Sequence, residues 1–125
     1  MPEASAQRKP LHWVGSSRAD IRQLPEGVRD VFGFALGQAQ RGEKHLDAKP
    51  LKGLGGASVL EVVADAEGST YRAVYTVRFR WAIYVLHVFQ KKSRRGIATP
   101  QKEIETIKAR LRLAAEHYQE NYEER

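Results

Sequence analysis

The chain has 125 residues, a length that fits one domain able to bury its own core without disulfides or metals. It contains no cysteine, which excludes disulfides, thiolate catalysis and cysteine metal sites, and 42% of its residues are hydrophobic, ordinary for a folded domain. The net charge of +6 and pI of about 9.8 favour a polyanionic partner, with RNA and DNA first and an acidic protein next.

In chain order, residues 1–10 are polar, unpatterned and hold Pro2 and Pro10, and they read as a flexible N-terminal arm. They lack the apolar centre of a signal peptide, and no apolar run approaches the ~20 residues of a membrane span, so the expected compartment is the cytoplasm with no membrane contact. Leu11 to Val14 predicts a short strand ended by Gly15. Ser16 or Ser17 then caps a short helix that turns Ile21 and Leu24 inward.

Pro25 opens a longer helix at its first position. Val28, Val31, Phe32, Ala35, Leu36 and Ala39 form its apolar stripe, and Gly33 and Gly37 are expected to permit close packing on a sheet. The helix ends near Gly42, and Glu43 to Ala57 is a long, basic, glycine-rich loop.

Three strands follow. In Val59 to Asp65, Leu60, Val62 and Ala64 face one way, and Glu61 and Asp65 the other. A turn at Glu67-Gly68-Ser69 makes a hairpin with Tyr71 to Phe79. That strand places Tyr71, Ala73, Tyr75, Val77 and Phe79 on one face and Arg72, Val74, Thr76, Arg78 and Arg80 on the other. A turn near Arg80 leads to Trp81–Phe89, apolar on both faces and therefore covered twice. Gln90 to Gly96 is strongly basic. Thr99 is expected to cap a last helix, with Pro100 at its first position and Ile104, Ile107, Leu111, Ala115 and Tyr118 as its apolar stripe. Residues 119–125 read as a polar C-terminal tail after a domain spanning 11–118. The order β-α-α-β-β-β-α argues an α+β fold with a mostly antiparallel sheet.

The motifs that carry nucleotide or metalloprotease chemistry are missing: no phosphate-binding glycine loop, no H-E-x-x-H, no nucleophile elbow. His12, His45, His87 and His117 are scattered without ligand spacing, so neither a metal nor a cofactor is expected. His87 reads as a packed histidine, and His45 is open to either role. Cations concentrate instead on strand and loop positions. Arg72 and Arg78 share a strand face about 20 Å apart at ~3.3 Å per residue, too far for one phosphate but suited to one groove. Lys91 and Lys92 leave the end of the neighbouring strand, Arg94 and Arg95 follow, and Lys49 and Lys52 sit in the loop entering the sheet. Guanidinium groups grip phosphate bidentately and lysines act as point charges, with Trp81, Tyr84 and Tyr75 as aromatic candidates for base stacking. Tyr71 and Tyr75 also fit a core role, and Trp13 and Trp81 a core-edge role. The same cations can cleave RNA without a metal, because they stabilise the charge that develops at phosphorus, and a desolvated lysine can serve as general base.

The segments K-P-L-K-G-L-G-G (49–56), T-Y-R-A-V-Y-T-V (70–77), I-Y-V-L-H-V-F-Q-K-K-S (83–93) and I-A-T-P-Q-K-E-I (97–104) resemble the phage-related HigB-like branch of the RelE/ParE toxin superfamily. The resemblance covers roughly residues 10–115. It implies two N-terminal helices and one C-terminal helix on a mostly antiparallel sheet. It further implies a toxin of a type II toxin–antitoxin pair: a metal-independent, ribosome-dependent endoribonuclease acting on mRNA, silenced by an antitoxin that in HigB-like pairs is a helix-turn-helix DNA-binding protein. The resemblance carries over Arg72, the pair Lys91 and Lys92, and the loop lysines Lys49 and Lys52. With the residue reading added, Arg72, Lys91, Lys92 and Arg78 are the expected catalytic cations, and Lys49, Lys52, Arg94 and Arg95 the expected RNA contacts. The branch commonly reads E-L-R where this chain has Glu61-Val62-Val63, so a basic residue expected near the cleft is replaced by Val63; either Arg78 or a loop lysine compensates, or nuclease activity is weakened. A gyrase-binding ParE-like toxin and a non-enzymatic phage-derived interaction module are the alternative readings.

Overall fold

The computed structural model describes residues 8–54, 56–91 and 99–122. Its elements are β1 (Leu11–Trp13), α1 (Ser17–Arg22), α2 (Glu26–Gln40), β2 (Lys49–Pro50), β3 (Val59–Ala66), β4 (Ser69–Thr76), β5 (Ile83–Lys91) and α3 (Gln101–Tyr122). The α+β reading holds, with one addition. Within the segment read as loop, β2 forms a two-residue edge strand in which Lys49 lies opposite Glu61. The five strands lie in the order β1-β5-β4-β3-β2. The β1–β5 pair is parallel, and the other pairs are antiparallel. β3 and β4 are joined through Glu67 (φ 53°) and Gly68 (φ 82°), the two positive-φ residues that a tight hairpin turn of right-handed twist requires.

The sheet has a core on each face. Val28, Phe32, Ala35, Leu36 and Ala39 of α2 cover Leu60, Val62, Ala73, Tyr75, Ile83 and Val85. Ile104, Ile107, Leu111, Ala114 and Tyr118 of α3 cover Val59, Val74, Tyr84 and Leu86. The period-2 alternation of β3 and β4 separates these two sets. In β5 the pairing register shifts between Val74 and Tyr75, whose partners are His87 and Val85, so Leu86 is the extra residue of a bulge. Up to the bulge Ile83 and Val85 face α2, and after it Val88 does.

Several expectations are corrected. β4 stops at Thr76, and Phe79 crosses to the α3 face, where its ring stacks on Tyr118 at 4.7 Å. The α3 stripe uses Ala114, buried, and leaves Ala115 exposed, because three residues after Leu111 stay closer to the stripe than four do. Gly33 and Gly37 do not meet the sheet. A Cβ at Gly33 would have nothing within 4 Å, and one at Gly37 would meet only Arg41 Nη1 at 3.7 Å. Pro25 stands just before α2 as its N-cap. Pro100 likewise precedes α3, its carbonyl accepting from the Glu103 and Ile104 amides, and the Thr99 hydroxyl is directed elsewhere. Ser16 occupies the N-cap of α1 without capping it, and Ser17 is buried with its hydroxyl donating to the Val85 carbonyl. Lys9 and Pro10, read as arm, are tied to Gln40 and Ile83 by backbone hydrogen bonds. At the other end, α3 continues to Tyr122.

Candidate functional site

Strand alternation puts Glu61 of β3, Arg72 of β4 and Lys91 of β5 on the face that α3 covers, near the start of that helix. Arg72 lies opposite Phe89 on one side and Val63 on the other, and Lys91 lies opposite Thr70. Arg72 and Lys91 are each only 4% exposed. Arg72 Nη1 forms an ion pair with Glu61 Oε2. The same oxygen accepts from Thr99 Oγ1 at 3.3 Å, so one carboxylate joins β4 to the entry of α3. Burial holds the Lys91 ammonium below the usual lysine range, the Arg72 charge lowers it further, and Glu61 opposes both. Lys49, exposed, stands on the rim opposite Glu61.

A second, partly buried network adjoins the first along α3. His87 Nε2 lies 2.6 Å from Glu103 Oε1, and Arg110 Nη1 lies 3.3 Å from His87 Nδ1 and donates to the Leu86 carbonyl at 3.1 Å. A guanidinium can only donate, so Nδ1 is the acceptor and Nε2–H is the donor to Glu103. The His87 ring stacks on Phe89 at 4.6 Å, and Phe89 is the strand partner of Arg72. Arg110 also approaches Gly15, whose φ of 59° suits glycine and where a Cβ would sit 2.7 Å from Nε.

Over residues 19–112 the chain matches the family described as "Phage derived protein Gp49-like (DUF891)". The chain belongs to this Gp49-like family. No curated protein matches this Gp49-like chain. Among solved structures it is similar to a mutant of the E. coli toxin RelE in the free state, with a TM-score of 0.54 and 15% identity over 85% of this chain and 97% of that one. The RelBE2 toxin–antitoxin complex of Mycobacterium tuberculosis also matches, with a TM-score of 0.46 and 23% identity over 69% of this chain and 94% of that one. The Gp49-like protein therefore has the RelE-like fold that the resemblance implied.

Of the cations singled out in the sequence, the Gp49-like fold brings Arg72 and Lys91 together and leaves Lys49 on the edge strand opposite Glu61. Lys52 is exposed in the loop after β2. Arg78 does not share a strand face with Arg72: it lies beyond the end of β4, exposed, with Nε donating to Ser58 Oγ at 3.1 Å. It thus lies away from Val63, which is directly across from Arg72. Lys92, Arg94 and Arg95 fall outside the described residues. Of the aromatic candidates, Tyr75 and Tyr84 are buried, and only Trp81 is exposed, with Arg80 over its ring at 4.6 Å. The Trp81 amide is hydrogen-bonded to Tyr118. That is the far end of α3, about 28 Å from Thr99 at ~1.5 Å per helical residue.

Glu61, Thr99, Glu103 and His87 were not read as site residues. The available signals were an acid on the arginine-bearing sheet face, and Glu103 and Arg110 on the inward side of α3 among Ile107 and Ala114. The fold also joins histidines that looked scattered. His12 and His117 rings lie 4.7 Å apart, with His12 Nε2 2.7 Å from the Tyr122 hydroxyl and His117 Nδ1 2.7 Å from that of Tyr84. They border a shallow cavity of about 290 Å³ with Trp13 and Leu113. Among the described residues, no three His, Cys, Asp or Glu side chains are grouped as a metal site, and no helix is long and apolar enough to cross a membrane.

Proposed function

We propose that this Gp49-like protein is the toxin of a HigB-like type II toxin–antitoxin pair, a cytoplasmic, metal-independent endoribonuclease that cuts mRNA on the ribosome. The observation that carries the reading is the pair of buried cations, Arg72 and Lys91, on the α3 face of a RelE-like sheet with Lys49 at the rim. Cleavage requires the ribose 2′-oxygen to lose its proton and bond to phosphorus while the bond to the 5′-oxygen breaks and that oxygen is protonated. The products are a 2′,3′-cyclic phosphate and a 5′-hydroxyl. Arg72 suits the phosphate oxygens, since its guanidinium remains charged and can pair with two oxygens at once. Lys91, with its pKa lowered chiefly by burial, suits removal of the 2′-proton. Lys49 and Lys52, with Lys92, Arg94 and Arg95, supply charge for the flanking phosphates. The antitoxin partner would be a helix-turn-helix protein whose acidic surface covers these cations.

The test is a short pulse of expression in bacteria with mRNA 5′ ends mapped transcriptome-wide after a few minutes. New ends inside translated frames are expected. In Arg72→Ala and Lys91→Ala, expressed and folded, they fall by about 100-fold or more. Arrest without new ends, together with inhibited gyrase supercoiling in vitro, would move the assignment to a ParE-like toxin. No arrest at all would leave a non-enzymatic module.

A further inference from the structure

We propose that Glu61 is a positioning residue of the basic face: its carboxylate, held between the Arg72 guanidinium and the Thr99 hydroxyl, aims Arg72, fastens the entry of α3 and supplies the countercharge for Lys91. Its catalytic meaning rests on the nuclease reading above, but its electrostatic content does not.

Three adjacent strands contribute one charged group each to this spot: Glu61 from β3, Arg72 from β4 and Lys91 from β5. Two buried cations side by side repel each other and lose hydration, so an anion within reach is the condition for keeping both. Glu61 meets that condition from inside the protein. Its Oε2 contacts Nη1 of Arg72 and accepts from Thr99. A carboxylate has about four acceptor positions, so Glu61 can take a donor from Arg72 Nη1 and another from Thr99 at once and anchor that end of the guanidinium.

Several charged groups surround Lys91, and Glu61 is one of the anions among them. From β3 come Glu61 and Asp65, from β4 Arg72, from β2 Lys49 beyond Glu61, and from α3 Glu103. Asp65 is engaged by the Thr70 hydroxyl at 3.0 Å, and Glu103 by His87 of β5 itself. Glu61 is the group that pulls the Lys91 pKa upward, against burial and Arg72. Removing its charge while keeping its shape must therefore let Lys91 release its proton at lower pH. The direction is the same whether Lys91 works as a base or as a cation.

The experiment follows Lys91 directly, by ¹³C and ¹⁵N resonances of labelled lysine in the full chain across a pH series, with the signal assigned through Lys91→Arg. Glu61→Gln should lower the Lys91 midpoint, the direction expected on losing an opposite charge. Glu61→Asp, with the charge withdrawn by one methylene, should lower it by less. The pH–rate profile for mRNA cleavage should move the same way. An unshifted midpoint in a folded Glu61→Gln overturns the inference whatever the activity. If Glu61→Gln does not fold, a Glu61→Asp midpoint equal to wild type overturns it. A shifted midpoint in a protein that cuts no RNA supports the inference and overturns the nuclease reading instead.

Discussion

Lys91 is an ammonium group that the fold holds at a cost. Its folded pKa lies below the ordinary 10.5, so below the folded midpoint both folded and unfolded chains carry the proton and the full burial penalty stands. As pH rises through the folded midpoint, the native state sheds the proton first, and stability recovers up to the unfolded value. Lys91→Met should thus melt higher than wild type below that midpoint, with the difference shrinking as pH rises through it, while its RNA cleavage is lost. Differential scanning calorimetry at several pH values checks this. Tyr75 carries a similar burden without a charge. Its hydroxyl is buried with no protein partner among the described residues, and burial pushes its pKa up to about 12. Tyr75→Phe should leave the fold intact and raise unfolding free energy by about 1 kcal/mol in urea titrations. Arg72 was legible as a candidate because alternation alone places it opposite the apolar face. Glu61 was not, because its partners come from β4 and from Thr99, whose hydroxyl local sequence rules assigned to a helix cap.

The long helices show how far periodicity reaches. Four of the five α3 stripe residues follow from spacing, but choosing between Ala114 and Ala115 requires knowing which way the helix rolls on Val74 and Tyr84. Ala114→Leu should cost about 1–3 kcal/mol by overpacking, and Ala115→Leu less than ~0.5, in parallel thermal melts. On α2, the glycines at 33 and 37 meet open space or an ordinary contact. Gly33→Ala and Gly37→Ala should therefore each stabilise by about 0.5–1 kcal/mol through helix propensity. For the strands, alternation reads β3 and β4 correctly and fails in β5. The bulge at Leu86 changes which residues face α3, and no turn-forming residue marks it. It brings His87 to Glu103 and Arg110. Phe79 was misplaced for a related reason: β4 ends at Thr76, where period-2 reasoning has no means of stopping.

At the scale of the whole molecule, α3 fastens to the sheet at both ends, by Glu61–Thr99 at its start and by His12–Tyr122 and Tyr84–His117 near its end. The far end titrates. Burial, and then the neighbouring His117, hold His12 below its ordinary 6.5. The unfolded chain thus takes up the proton first, and stability falls as pH drops from 6.5 towards the folded midpoint. Melting temperature should decline between pH 7.5 and 5, and His12→Gln should flatten that decline. The α+β class and the RelE-like arrangement were legible because helix and strand periods are local properties. The pairing of β1 with β5 was not, since nothing in Leu11–Trp13 names its partner. That pairing also sets an order of events. Leu11 meets Ile83, so β1 must wait for some seventy residues of chain before its ladder exists. Closing so long a loop is a late and slow step compared with the hairpins of β3, β4 and β5. On a translating ribosome the first strand made is thus among the last to dock. Glu61, Arg72 and Lys91 stay uncovered until α3 emerges behind them, so the basic face is finished only once that helix has been made.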